Sequence, residues 1–183
     1  MKKSLILFAA IVMIAGLTTK VMAQSTSKTE NTNAGAVLIV AMGLTETAPL
    51  HFGSMVLTNA LGGTCVLAST LATRSFAGGV ATSAANPVAT NAAYNVTGTG
   101  LETYALTLPA TTTVTHTSVA AGVYTMDITD MKARFNGAGA DAITSALTSG
   151  GTDSFTVGGT LTIAAAQVAG IYAGTFNVSV DYN

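Results

Sequence analysis

The two histidines, one cysteine and scattered carboxylates of this 183-residue chain are the side chains that chemistry would call on. His51 and His116 each stand alone among strand-like residues. A metal centre would need both of them and a carboxylate gathered by the fold, whereas an isolated strand histidine is more often hydrogen-bonded or solvated. Asp127, Asp130, Asn136 and Asp141 lie around Phe135-Asn-Gly-Ala-Gly-Ala140 and carry the hard oxygens that calcium takes. Their spacing matches no calcium-loop pattern, so a glycine-rich turn is the better reading. Gly98-Thr-Gly100 lacks the third glycine and the following helix of a dinucleotide loop and reads as a turn. No Gly-x-Ser-x-Gly elbow occurs, and nothing nominates a triad. The expectation is a protein that is not an enzyme, with no catalytic residue, cofactor or metal. Cys65 has no intrachain partner and is expected to be a small buried apolar side chain.

The elements that would position any site begin after a leader. Met1-Lys-Lys-Ser is basic, Leu5 to Leu17 is apolar, and Val21-Met-Ala23 supplies small residues, so residues 1–23 read as a secretory signal peptide cleaved after Ala23. The apolar run is shorter than the ~20 residues a spanning helix needs, so no membrane span is expected once the leader is removed. Lys2, Lys3 and Lys20 leave with it. The remaining chain keeps four basic residues against eight acidic ones, a net charge near −4 that argues against nucleic acid as a partner. Charged residues make up only 8% of the sequence. Solubility must therefore rest on Thr, Ser, Asn and backbone, as on a Thr-clad sheet surface.

Residues 24–33 contain no large apolar residue and read as a flexible polar tail. Residues 34–183 read as a single β-sandwich domain. Its first segment, 34–44, would carry Leu38, Val40, Met42 and Leu44 on one face and Val37 and Ile39 on the other. Short strand-like runs follow near Leu50 to Phe52, Thr64 to Ala68, Ala92 to Thr97, Thr103 to Leu108, Thr112 to Thr117, Val123 to Met131 and Ser154 to Ile163. Ala140 to Leu147 has the composition for a turn or two of helix. Many short strands cut by turn residues argue for a sandwich or small barrel.

The last quarter has the clearest period. Tyr172, Phe176, Val178, Val180 and Tyr182 alternate with Ala173, Thr175, Asn177, Ser179 and Asp181, which puts the large residues on one face of a strand. Val157, Leu161 and Ile163 repeat the rhythm, and the two runs read as an antiparallel pair joined by a Gly-containing loop. The expectation is that no later strand of the same chain covers this final one. Each of its large side chains left uncovered would forfeit roughly 1.5 to 3 kcal/mol. Two or three such losses approach the roughly 5 to 15 kcal/mol that holds a domain together, so a covering strand is expected from elsewhere.

The order Leu50-His-Phe-Gly53, Thr73-Arg74, Gly78-Gly-Val80, Tyr94-Asn-Val-Thr-Gly98, Tyr104-Ala-Leu-Thr-Leu-Pro109, Val157-Gly-Gly-Thr-Leu-Thr-Ile163 and Ala169 to Asn183 resembles the exported bacterial family of domain of unknown function 4402. That resemblance implies an exported β domain and no particular activity. More distantly, Leu50-His-Phe-Gly53 and the closing rhythm from Gly170 to Tyr182 are similar to spore coat U and archaic chaperone-usher pilin subunits. This second likeness implies an immunoglobulin-like (pilin-like) antiparallel β-sandwich lacking its last strand, completed by the N-terminal segment of the next subunit. With Cys65 as the only cysteine, the disulfide of many pilins cannot form.

The functional expectation is an exported structural subunit of a fimbria-like or cell-surface assembly. The donor segment would be Val37, Leu38, Ile39, Val40, Met42 and Leu44, and the groove would be Tyr172, Phe176, Val178, Val180 and Tyr182. Its partners would be copies of itself or related subunits, with a periplasmic chaperone and usher, on a path from periplasm to cell surface of a Gram-negative bacterium. The alternative is a monomeric extracellular module binding glycan or a surface. The absence of Trp, and the placement of Tyr and Phe on the inward rhythm, count against that reading.

Overall fold

A computed structural model of the chain describes residues 27–58 and 61–183. The expected signal peptide, residues 1–23, lies outside them, as do residues 24–26. The chain divides into one unit that ends at Val37 and a second from Leu38 to Asn183. In the first, residues 27–37 form no strand and are exposed.

The second unit is all-β, with no helix among the described residues. In chain order its strands are β1 (Gly43–Ala48), β2 (Met55–Leu57), β3 (Gly63–Leu67), β4 (Arg74–Gly78), β5 (Val80–Thr82), β6 (Ala92–Thr97) and β7 (Thr103–Thr107). They continue with β8 (Thr111–His116), β9 (Thr125–Phe135), β10 (Thr144–Ala146), β11 (Thr152–Ile163), β12 (Tyr172–Ala173) and β13 (Ser179–Tyr182). Every ladder between them is antiparallel.

The long strand β11 is the spine. One of its edges is shared, with Thr152 to Val157 pairing with β6 and Gly159 to Ile163 pairing with β3, while its other edge pairs along β9. The Gly158-Gly159 pair makes this hand-over possible. A Cβ on Gly158 would lie 2.3 Å from the carbonyl oxygen of Leu67 and 2.5 Å from that of Ala68, so only glycine lets β3 end so close to the spine. Opposite that point the register with β9 slips, with Gly158 facing Lys132 and Thr160 facing Thr129. Asp130 takes up the extra residue at φ 50°, which is the signature of a bulge.

The main sheet runs β1-β6-β11-β9-β8-β12, with β3 and β4 added beside β11. A three-stranded sheet, β10-β7-β13, and the ribbon β2-β5 complete the fold. Two apolar layers result. The first is built on Tyr94, Val96, Tyr104, Leu106, Phe135, Leu147, Phe155 and Val157, drawn from both the main and the three-stranded sheet. Its rings interlock, with Tyr94 stacked on Phe155 at 5.1 Å and Phe135 edge-on to both Phe155 and Tyr104. The second gathers Phe52, Cys65, Leu67, Val80, Met126, Ile128, Leu161 and Ile163. Sheets facing one another across such layers form an antiparallel sandwich.

Three expectations are corrected. Ala140 to Leu147 is not helical, because its Thr144–Ala146 stretch pairs with Thr103 to Ala105 as β10. The last two runs are not partners of each other: β11 lies in the main sheet, β13 pairs with β7, and Tyr172–Ala173 pairs with β8. Leu50 to Phe52 forms no strand and contributes only the bridge His51 to Thr90.

Candidate strand-docking groove

β13 pairs with β7 along one edge, from Ser179 opposite Thr107 to Tyr182 opposite Tyr104. Among the described residues its other edge carries no strand. The segment reaches β13 by crossing from the main sheet, where β12 is tied to β8, through Gly174 to Val178, which belong to no ladder. The period of two nevertheless persists across the crossing. Tyr172, Phe176, Val178, Val180 and Tyr182 are half-buried, while Ala173, Thr175, Asn177, Ser179 and Asp181 are exposed. Phe176, Val178, Val180 and Tyr182 pack against the first apolar layer, whereas Tyr172 packs against the second. The groove therefore consists of four residues on one core, and Tyr172 stands apart from it. All four are only half-covered, in contrast to Tyr104, Val96 and Val157 of the same apolar layer, which are fully buried.

The sequence-predicted donor residues divide in the same way. Leu44 lies in β1 opposite Val96, and both it and Met42 pack half-buried on the first layer of their own chain. Val37, Leu38, Ile39 and Val40 are exposed and belong to no strand, with Val37 at 90% and Leu38 at 96% exposure. Four consecutive large aliphatic side chains in water form an apolar stretch of the kind that seeks cover.

The chemistry-bearing residues are each committed locally. The Nδ1 of His51 accepts from the Gly53 N–H at 2.8 Å. The Nδ1 of His116 accepts from the N–H groups of Ser118 and Val119, its Nε2 faces the Ala169 carbonyl, and its ring meets Tyr172 edge-on. With Nδ1 accepting twice, Nε2 carries the proton. Asp127 accepts from Thr113, Asp130 pairs with Lys132, and Asp141 takes both the Ser69 hydroxyl and Arg134. Those carboxylates thus serve different partners. An open depression of about 320 Å³ beside Leu71, Asn136, Ser154 and Thr156 includes Arg134, whose guanidinium is already held by Asp141.

Two networks were invisible in the sequence. Asp153 accepts from the buried Tyr104 hydroxyl at 2.9 Å and from Ser145 at 2.6 Å, tying β11 to β7 and β10. Burial, reinforced by that carboxylate, pushes the Tyr104 phenol far above its ordinary range. Arg74 donates to the carbonyls of Phe52 and Ser54 and to the Thr82 hydroxyl, and lies over the Phe76 ring. The spacing of these residues follows no sequence motif, so neither network left a signal to find.

A family model described as Domain of unknown function (DUF4402) matches residues 42–182. The chain belongs to the DUF4402 family. The match covers the whole run from Met42, just ahead of β1, to Tyr182 at the end of β13. No curated protein matches the chain, and no solved structure does.

Proposed function

We propose that this DUF4402 chain is an exported structural subunit of a fimbria-like or cell-surface assembly, polymerising by strand donation. The apolar stretch around Val37 to Val40 of one copy would lie along the open edge of β13 in the next. The observation that carries this reading is the half-covered row Phe176, Val178, Val180 and Tyr182, which runs into a strand, β13, paired along one edge only among the described residues, in a chain that also holds four exposed aliphatic residues in no strand. The two surfaces are complementary in kind. An extended segment added at a sheet edge supplies main-chain hydrogen bonds, and its alternate side chains fill the pockets. Each Val, Leu or Ile side chain so covered contributes roughly 1.5 to 3 kcal/mol. A head-to-tail contact of this type need not close, so it propagates as a fibre. Export through the periplasm to the cell surface, with a chaperone shielding the open edge on the way, belongs to the same reading.

The test uses a chain that begins at Met42 and a synthetic peptide of residues 30–41. Added peptide should raise the melting temperature of the shortened chain in a saturable manner, because a ligand that binds only the folded state stabilises it. Carrying Val180→Asp in the shortened chain should abolish the rise. A melting temperature indifferent to the peptide would refute donation of this segment.

A further inference from the structure

One ring of hydrogen bonds ties the exposed N-terminal stretch to the sandwich. The Tyr182 hydroxyl donates to the carbonyl of Val40 at 2.7 Å and accepts from the Thr99 N–H at 2.7 Å. The N–H of Val40 closes the ring by donating to Thr99 Oγ1 at 2.6 Å. Gly98 makes the approach possible, since a Cβ there would lie 2.3 Å from the Tyr182 hydroxyl and 2.9 Å from Leu147 Cδ1. The Gly98-Thr-Gly100 turn therefore has a definite task, which is to present Thr99 to two segments far from it in sequence.

The ring lies where the β1–β6 ladder ends. The last pair of that ladder is Gly43 opposite Thr97, and an unbroken register would continue with Ala41 opposite Thr99. It does not continue. Both backbone groups of Val40, one residue upstream of the Ala41 position that would form that pair, are held instead by the side chains of Thr99 and Tyr182. Held by side chains at Val40, the backbone leaves the line of the ladder there, and residues 27–42 belong to no strand.

We infer that Tyr182, Thr99 and Gly98 form a departure site for the donor strand, which caps the β1–β6 ladder and so reserves the residues upstream of Val40 for a neighbouring copy of the chain. This rests on the strand-donation reading above. It assigns Met42 and Leu44 to the chain's own core and Val37 to Ile39 to the neighbour. It also gives Tyr182 two separable parts, a ring in the groove and a hydroxyl at the departure site.

The experiment compares the exported chain from Gln24 with its Thr99→Val and Tyr182→Phe variants, by native-state hydrogen exchange and by the rate of filament growth. Thr99→Val removes the acceptor of the Val40 N–H and leaves the groove untouched. It should speed exchange at Val40 by about five- to tenfold, the effect of one ordinary hydrogen bond, with core amides such as that of Val157 unchanged. Tyr182→Phe keeps the ring and should release the Thr99 N–H to a similar degree. Both variants should grow filaments several-fold more slowly. Unchanged Val40 exchange in Thr99→Val, or faster exchange with wild-type filament growth, would overturn the inference. Should Tyr182→Phe fold poorly, Thr99→Val decides alone. If the unaltered chain forms no filaments, the strand-donation reading fails by itself; a ladder cap at Val40 is then upheld by faster exchange in Thr99→Val and overturned by its absence.

Discussion

Cys65 is fully buried between Leu161 and Phe76, the residues that face it on the two neighbouring strands, and burial pushes its thiol up to about 11 even though the Arg74 guanidinium pulls the other way. A thiol that is both enclosed and protonated at neutral pH is inert, since the thiolate is the reactive form. Folded protein at pH 8 should therefore leave a disulfide reagent such as dithionitrobenzoate unconsumed, and urea should release one thiol per chain. Labelling at the same rate with and without urea would place Cys65 at the surface. Asp141 shows the opposite shift. The Ser69 hydroxyl first, and then Arg134, hold its carboxyl below the usual carboxylate range, against a smaller upward pull from desolvation. A carboxyl depressed in the folded state stabilises it at pH values above its unfolded pKa, and that contribution disappears as pH falls through the folded value. Asp141→Asn should thus lower the urea midpoint at pH 7, and the gap to wild type should narrow at about pH 3 and below. A gap that stays constant across this range would contradict this account of Asp141. The reading of Cys65 as a buried small side chain needed only that the sequence holds one cysteine and that a free cysteine packs as a small apolar group. The Ser69–Asp141 bond joins residues that are 72 positions apart, and no local pattern announces it.

At the level of elements, β11 does the most to order the fold, because it pairs with three other strands, β3, β6 and β9. Phe155, in the first half of β11, is stacked on Tyr94 and edge-on to Phe135. Phe155→Ala should lower unfolding free energy by about 3–5 kcal/mol, measured by urea denaturation, since the cavity is ringed by rigid aromatic partners. A loss below about 1 kcal/mol would mean the first layer is not the mechanical centre. The strands that were legible in the sequence are those with one buried and one wet face, where the alternation is written into residue type. β6 matches its expected limits, and β3, β7, β8 and β11 lie within two residues of theirs. β9 starts later than expected and continues past Met131 to Phe135, because the bulge at Asp130 resets the alternation rather than ending the strand. β2, β4, β5 and β10 are elements of three to five residues, too short to show a period, and tertiary pairing rather than local pattern defines them. The pairing of Val157 to Ile163 with the C-terminal run was misread for a related reason. Two amphipathic strands close in sequence look like a hairpin, and only the crossing at Gly174 to Val178 carries the second into another sheet.

For the whole molecule, the sequence disclosed the architecture better than the assembly. An all-β antiparallel sandwich follows from many short alternating runs with few charges, and the family match over residues 42–182 agrees with the block that carried the resemblance. The candidate groove was legible as a face, because Phe176, Val178, Val180 and Tyr182 keep their period. Its limits were not, since Tyr172 belongs to the other layer and Met42 and Leu44 are consumed at home. Which backbone groups remain open depends on pairings between distant strands, and residue type does not encode those. The central claim is that the exposed stretch before Met42 completes the open edge of β13 in another copy. Electron microscopy of the chain from Gln24, beside a chain beginning at Met42, tests it most directly. The account predicts filaments from the first and none from the second; dispersed monomers from both, or filaments from both, would contradict it.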